Sequence, residues 1–311
     1  NLLQDQLIDS SYIAQIGSPL MDAGDPALID PDGSIRNIGL SLDPNATCLL
    51  LAPPALPRSP VYPGDVNGDN VADVWDLLPI GVYQGNTGPA RDNVSIAWAP
   101  QPAQDWGTDQ ASGADIKHID CDGNGTIEAR DAHAIAQNYQ WTPRKANPAN
   151  GQAQLWIDVP SSAASGDTLT MRLRLDHPNG EVEAVYGLAL SVAYDEAFIN
   201  PDAEIIFDLQ NSWLATDGSN LMSLHHVEQG RVDLAVVRTG RFPISGEGVV
   251  AELKFVLTES LPTEISSNLL FDIKAADVIH SDESVIPTSW AGGSTEVKPS
   301  TTTSIFDGPQ S

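Results

Sequence analysis

Between residues 152 and 298, several short runs carry apolar side chains at every second position. Leu169, Met171, Leu173 and Leu175 alternate with Thr168, Thr170, Arg172 and Arg174. Leu188, Leu190 and Val192 repeat the period, as do Val232, Leu234 and Val236, then Leu253, Phe255 and Leu257. A period of two places one row on each face of an extended strand. His177-Pro178-Asn179-Gly180 and Ser245-Gly246-Glu247-Gly248 punctuate the runs as turns. Many short strands with such punctuation predict an antiparallel β-sandwich.

Upstream the spacing changes. Leu77, Leu78, Ile80 and Tyr83 follow a helical period, and so do Ala132, Ile135, Ala136 and Tyr139. Pro79 falls in the first turn of its helix, where a missing N–H is tolerated. Proline also punctuates the chain, with Pro53, Pro54, Pro57, Pro60 and Pro63 forming an extended, semi-rigid stretch. The expected organisation is a segment over 1–52, a Pro-rich linker over 53–61 and a loop–helix unit over 62–141. A linker over 142–151, the sandwich over 152–298 and a polar tail over 299–311 follow. Residues 1–52 hold turn chemistry and few large apolar groups, too little for an independent core, so they are expected to complete something larger. The fold class is mainly β and multidomain, with one small α unit.

Each predicted helix is preceded by a twelve-residue loop of oxygen-bearing side chains. The first runs from Asp65 to Asp76, with Asp65, Asn67, Asp69, Asp73 and Asp76 at positions 1, 3, 5, 9 and 12. The second runs from Asp120 to Asp131 and repeats the pattern with Asp120, Asp122, Asn124, Glu128 and Asp131. Position 7, which supplies a main-chain carbonyl, is Val71 in one loop and Thr126 in the other. Calcium takes six to eight hard oxygen ligands, and this spacing wraps them around one ion. Two loops therefore predict two Ca²⁺ sites. Position 6 must adopt a positive φ, which Gly125 does freely and Asn70 tolerates. Position 12 is Asp where calmodulin-like loops carry Glu, so the backbone must bring the shorter arm inward.

With two loop–helix repeats that each end in Asp, and the opening Gly64-Asp65-Val66-Asn67-Gly68-Asp69, residues 62–141 resemble a dockerin, an EF-hand-like calcium module. They depart from the family in the long insert, 77–119, between the loops. That insert is similar to expanded dockerin-like segments of surface proteins exported by type IX secretion. Ser165-Gly166-Asp167-Thr168-Leu169, Tyr186 to Asp195 and Gly246 to Phe255 resemble the cohesin and carbohydrate-binding sandwich group. Gly17-Ser18-Pro19-Leu20-Met21-Asp22-Ala23-Gly24-Asp25-Pro26 resembles the last coil of a right-handed parallel β-helix. Thr303-Ser304-Ile305-Phe306-Asp307 resembles the approach to a sorting domain. The resemblances imply the C-terminal part of a longer, secreted surface protein. Its dockerin-like and cohesin-like units would dock on each other within the chain, or between copies into a filament or surface layer.

Composition narrows the function classes. The chain has 311 residues, 42 acidic and 15 basic, for a formal charge of −27. Such a surface repels phosphate backbones and anionic lipid, so neither nucleic-acid binding nor membrane insertion is expected. The acids are spread over every segment and read mostly as a solvated exterior. No G-x-S-x-G, P-loop, dinucleotide fingerprint or zinc spacing is present, and no carboxylate pair stands out, so the chain is not expected to be an enzyme. His225 and His226 are neighbours on a strand and point to opposite faces. Carbohydrate is the alternative ligand, with Trp98 and Trp106 of the insert as stacking surfaces, although those rings also suit a small core. A further alternative is an accessory part of a polysaccharide-acting β-helix enzyme. Cys48 and Cys121 are compatible with one disulfide or with two buried thiols.

Overall fold

A computed structural model describes residues 59–300, except 93, 145–150, 152, 229, 241, 260 and 262–264. The chain divides between Pro57 and Arg58 into two compact units. The expected β-helix coil, Cys48, and the tail from 301 onward lie outside the described residues.

Among the described residues, thirteen strands follow residue 152. One sheet runs in the order β12 (Thr288–Ala291), β1 (Ala153–Asp158), β3 (Thr168–Asp176), β10 (Gly248–Val256), β6 (Ile206–Asp208). The facing sheet runs β2 (Ser162–Ala164), β13 (Gly293–Lys298), β11 (Ser267–Ile279), β5 (Gly187–Tyr194), β8 (Arg231–Arg238), β7 (Leu221–Glu228). A small ribbon pairs β4 (Val182–Val185) with β9 (Ile244–Gly246). Residues 153–298 therefore form a two-sheet sandwich. Its pairings are antiparallel except β1 with β12 and β2 with β13, which are parallel. Both exceptions lie at sheet ends, where a strand arriving by a crossover from the other sheet is free to take either direction.

Strand β3 shows why the alternation is legible. Its Leu169, Met171, Leu173 and Leu175 are all buried, while the polar residues between them are partly exposed. These side chains meet Leu188, Leu190, Val192, Val232, Leu234 and Val236 of the facing sheet. Phe255 packs between Tyr194 and Phe271, at centroid distances of 5.3 and 5.2 Å.

The facing sheet breaks the pattern. Strand β8 is buried along almost its whole length, and β5 along its first six residues. Its outer row, including Ala189, Ala235, Val237, Met222, Ala275 and Ile279, shares a second core with Val74, Trp75, Leu77, Leu78, Ile80, Ile127 and Ile135 of the loop–helix unit. Helix α1 (Leu77–Val82) lies so close that a Cβ on Gly81 would sit 2.4 Å from Val237 Cγ2. The small alanines and this glycine permit that approach.

Polar contacts fix the seat. Trp75 donates its indole N–H to Asp277 at 2.8 Å, and Tyr139 donates its hydroxyl to Asp233 at 2.6 Å. Glu283, in the left-handed region at φ +63°, accepts from the Ala111 amide at 2.7 Å and the Tyr83 hydroxyl at 3.2 Å. Of the sandwich acids, read mostly as solvated exterior, Asp233 is instead buried, and Asp277 and Glu283 are half-buried. Asp233 is 2% exposed, and all three hold the loop–helix unit on the sheet.

Candidate functional site

The two acidic loops have the same backbone frame. Positions 4 and 6 are left-handed in both, at φ +78° and +68° for Gly68 and Asn70, and +78° and +85° for Gly123 and Gly125. Between them the side chains fold back on the chain. Asn67 accepts the Asp69 amide and Asp69 the Val71 amide; Asp122 accepts the Asn124 amide and Asn124 the Thr126 amide. Each such turn directs the remaining oxygen lone pairs of the side chain toward the loop interior or solvent.

Each loop ends in a 3₁₀ turn, Val74–Asp76 and Ala129–Asp131, before its helix, α1 or α2 (Ala132–Gln137). The turn draws the short position-12 arm inward. Asp76 accepts from the amides of Val66 at 2.8 Å, Asn67 at 3.0 Å and Asp73 at 2.8 Å. Asp131 accepts from Asp122 at 3.0 Å and Glu128 at 2.8 Å. Both position-12 carboxylates are completely buried.

Position 1 is buried too, with Asp65 4% and Asp120 1% exposed. One oxygen of each, Oδ1, has no hydrogen-bond partner. In the second loop Asp120, Asp122 and Asp131 each bring an oxygen within 4.8 Å of the other two. Buried carboxylates crowded this way resist ionisation. Burial pushes Asp65 and Asp73 up to about 6 and Asp131 up to about 7, and it raises Asp76 and Asp120 as well. A hard cation reverses that penalty by supplying the missing partner charge. The donor set is all oxygen, acidic and paired with main chain from the same loops, so the residues present fit calcium.

The surroundings of the loops came from outside the local motif. The insert closes over the second loop, where the Gly88 amide donates to Gly125 and the Arg91 amide to Gly123. The buried Arg91 guanidinium donates to the carbonyls of Asp120 at 2.6 Å and Cys121 at 2.7 Å. Arg144 reaches the first loop from beyond α2, pairing with Asp69 at 2.9 Å and Asp73 at 3.1 Å. Sequence reasoning singled out neither arginine; no local spacing marks them.

Trp106 lies against Gly88, where a Cβ would come within 2.1 Å of its ring, and Trp98 tilts against Tyr62 at 5.4 Å. Both rings are half-buried packing elements of the insert. His225 faces Phe207 at 5.1 Å and His226 stacks on Tyr139 at 3.9 Å. Cys121 is a free, buried thiol that accepts the Gly64 amide, and its proposed partner Cys48 lies outside the described residues.

No known protein family and no curated protein matches the sequence. Solved structures similar to it include cohesins. A type I cohesin–dockerin complex from Clostridium thermocellum is 14% identical, covering 50% of this chain and 100% of that chain, with a TM-score of 0.40. A cohesin from Pseudobacteroides cellulosolvens is 12% identical, over 48% of this chain and 93% of its own, with a TM-score of 0.38. The cohesin module of a Clostridium perfringens family 33 glycoside hydrolase is 16% identical, over 49% and 100%, with a TM-score of 0.37.

Proposed function

We propose that this chain is a calcium-stabilised, non-catalytic docking module of an extracellular protein, in which a dockerin-like unit is seated on its own cohesin-like sandwich. Asp65, Asn67, Asp69, Asp73, Asp76 and the Val71 carbonyl would hold one ion. Asp120, Asp122, Asn124, Glu128, Asp131 and the Thr126 carbonyl would hold the other. Bound calcium would supply the positive charge that these buried carboxylates lack.

One observation carries the reading: both loops leave the same oxygen, the Oδ1 of position 1, buried without a partner. A buried acceptor left unmade costs about 1–3 kcal/mol, more when charged. Its recurrence at equivalent positions supports a shared missing partner. The free energy of binding two ions would then be folding free energy for the loop–helix unit. The bonds of Trp75, Tyr139 and Ala111 to Asp277, Asp233 and Glu283 of the sandwich support docking within the chain as its protein partnership, ahead of pairing between copies.

Native mass spectrometry tests stoichiometry, and thermal melting with and without a chelator tests linkage. Two calcium ions per chain and a melting temperature lower by several degrees in chelator are expected. A chain that carries no calcium and melts identically in both conditions is not a calcium module.

A further inference from the structure

We infer that Arg144 is a tethered counter-cation that weakens calcium binding at the first loop, so that the second loop fills first. This rests on the calcium reading above and adds an inequality between the two sites.

The guanidinium sits on two of the oxygen ligands. Its Nη2 is 2.9 Å from Asp69 Oδ2 and 3.1 Å from Asp73 Oδ2, and its Nε is 3.2 Å from Asp73 Oδ2. Those are positions 5 and 9 of the first loop. The group is held there from outside the loop. It stacks 4.3 Å from the Trp75 ring centroid, and the preceding chain is anchored twice. The Gln140 amide donates to the Ala72 carbonyl at 2.8 Å, and Trp141 lies under Arg231 at 4.1 Å. With its side chain 27% exposed, Arg144 is partly shielded from solvent.

The second loop has arginines of a different kind. Arg130 pairs with Glu128 at 2.7 Å and Asp122 at 3.3 Å, but it is 62% exposed and belongs to the loop itself. Solvent screens such a pair, and the side chain is free to swing away. Arg91 is buried and donates to the main-chain carbonyls of Asp120 and Cys121, so its charge acts on the Asp120 carboxyl without sitting on a carboxylate as Arg144 does. A dication entering the first loop must displace or neighbour a stacked guanidinium. One entering the second meets three carboxylates already converged within 4.8 Å. A divalent ion and a guanidinium about 6 Å apart in a water-like dielectric repel enough to change affinity roughly tenfold.

The test is calorimetric titration of the chelator-stripped full chain with calcium chloride, for the wild type, Arg144→Gln and Arg144→Met. Methionine keeps an unbranched stem over Trp75 without the charge. The wild type is expected to bind two ions in unequal steps, and both variants to tighten the weaker step roughly tenfold while leaving the stronger one unchanged. Adding Asp131→Asn should leave a single site that shows the same gain. Melting in saturating calcium verifies that each variant is folded, and agreement of either folded variant suffices. A weaker step that is unchanged or loosened in the folded variants overturns the role of Arg144 while calcium binding stands. A wild type that takes up no calcium overturns both readings.

Discussion

The loop closed by Asp76 and the loop closed by Asp131 have one backbone design and two electrostatic environments. In both, positions 4 and 6 are left-handed, a 3₁₀ turn pulls the last aspartate inward, and the first aspartate keeps an unpartnered buried oxygen. They differ in what the rest of the chain brings to them. The first receives Arg144 on two of its carboxylates, and its position 11, Trp75, is committed to the sandwich through Asp277. The second is roofed by the insert, and its position 11 is the exposed Arg130. A repeated motif therefore sets a shared backbone frame, while its neighbours set the charge environment of each copy.

Removing the closing carboxylate tests the shared half of that comparison with the largest effect. Asp76→Ala and Asp131→Ala should each abolish one calcium in native mass spectrometry. Each should lower stability by about 3 kcal/mol or more, because several buried amides lose their acceptor. Retention of two ions in either variant would contradict the frame.

Position 6 separates the loops next. A Cβ on Gly125 would lie 2.7 Å from the Gly88 carbonyl, at φ +85°. Gly125→Ala should cost about 2–3 kcal/mol in denaturant unfolding, and Asn70→Gly at most about 0.5 kcal/mol. Similar costs at both would mean that the insert does not bear on the second loop.

Acidity gives a third distinction. Without calcium, the raised carboxyl groups bind protons more tightly folded than unfolded. Their contribution to stability is full below about pH 4 and is lost as pH rises, through about 6 for Asp65 and Asp73 and about 7 for Asp131. His118, held down at about 4 by burial, and His225, also lowered, oppose this trend, but the carboxyl groups outnumber them. In chelator, the melting temperature should therefore rise by a few degrees from pH 8 to pH 5.5. A fall over that range would count against the buried carboxylates.

The smallest effect is expected at Arg130. Arg130→Gln should change calcium affinity by no more than about twofold, because the pair is exposed and screened. Calorimetry that found a change there as large as at Arg144 would erase the distinction between a tethered and a free guanidinium.

Much of this was legible from local spacing. The period of two along Leu169, Met171, Leu173 and Leu175 marked a strand, and the oxygen spacing from Asp65 to Asp76 marked a loop. Asn70 at position 6 stood out because few other residues accept a positive φ. The outer row of β5 and β8 was not legible. Ala189, Ser191, Asp233 and Ala235 are as suited to a half-exposed face as to a covered one, and only the seated loop–helix unit makes them interior. Trp98 and Trp106 were ambiguous for the same reason, since a ring that stacks on sugar also packs on Gly88 or Tyr62.

By itself the sequence determined the strands, the backbone form of the two acidic loops and the helices that follow them. All three depend on residues within about a dozen positions of one another, where backbone geometry leaves few choices. Only the tertiary structure decided that the loop–helix unit covers the sandwich and that Arg144 enters the first loop. Those outcomes join residues far apart in sequence, and they turn on small side chains and a single guanidinium whose placement no local period encodes.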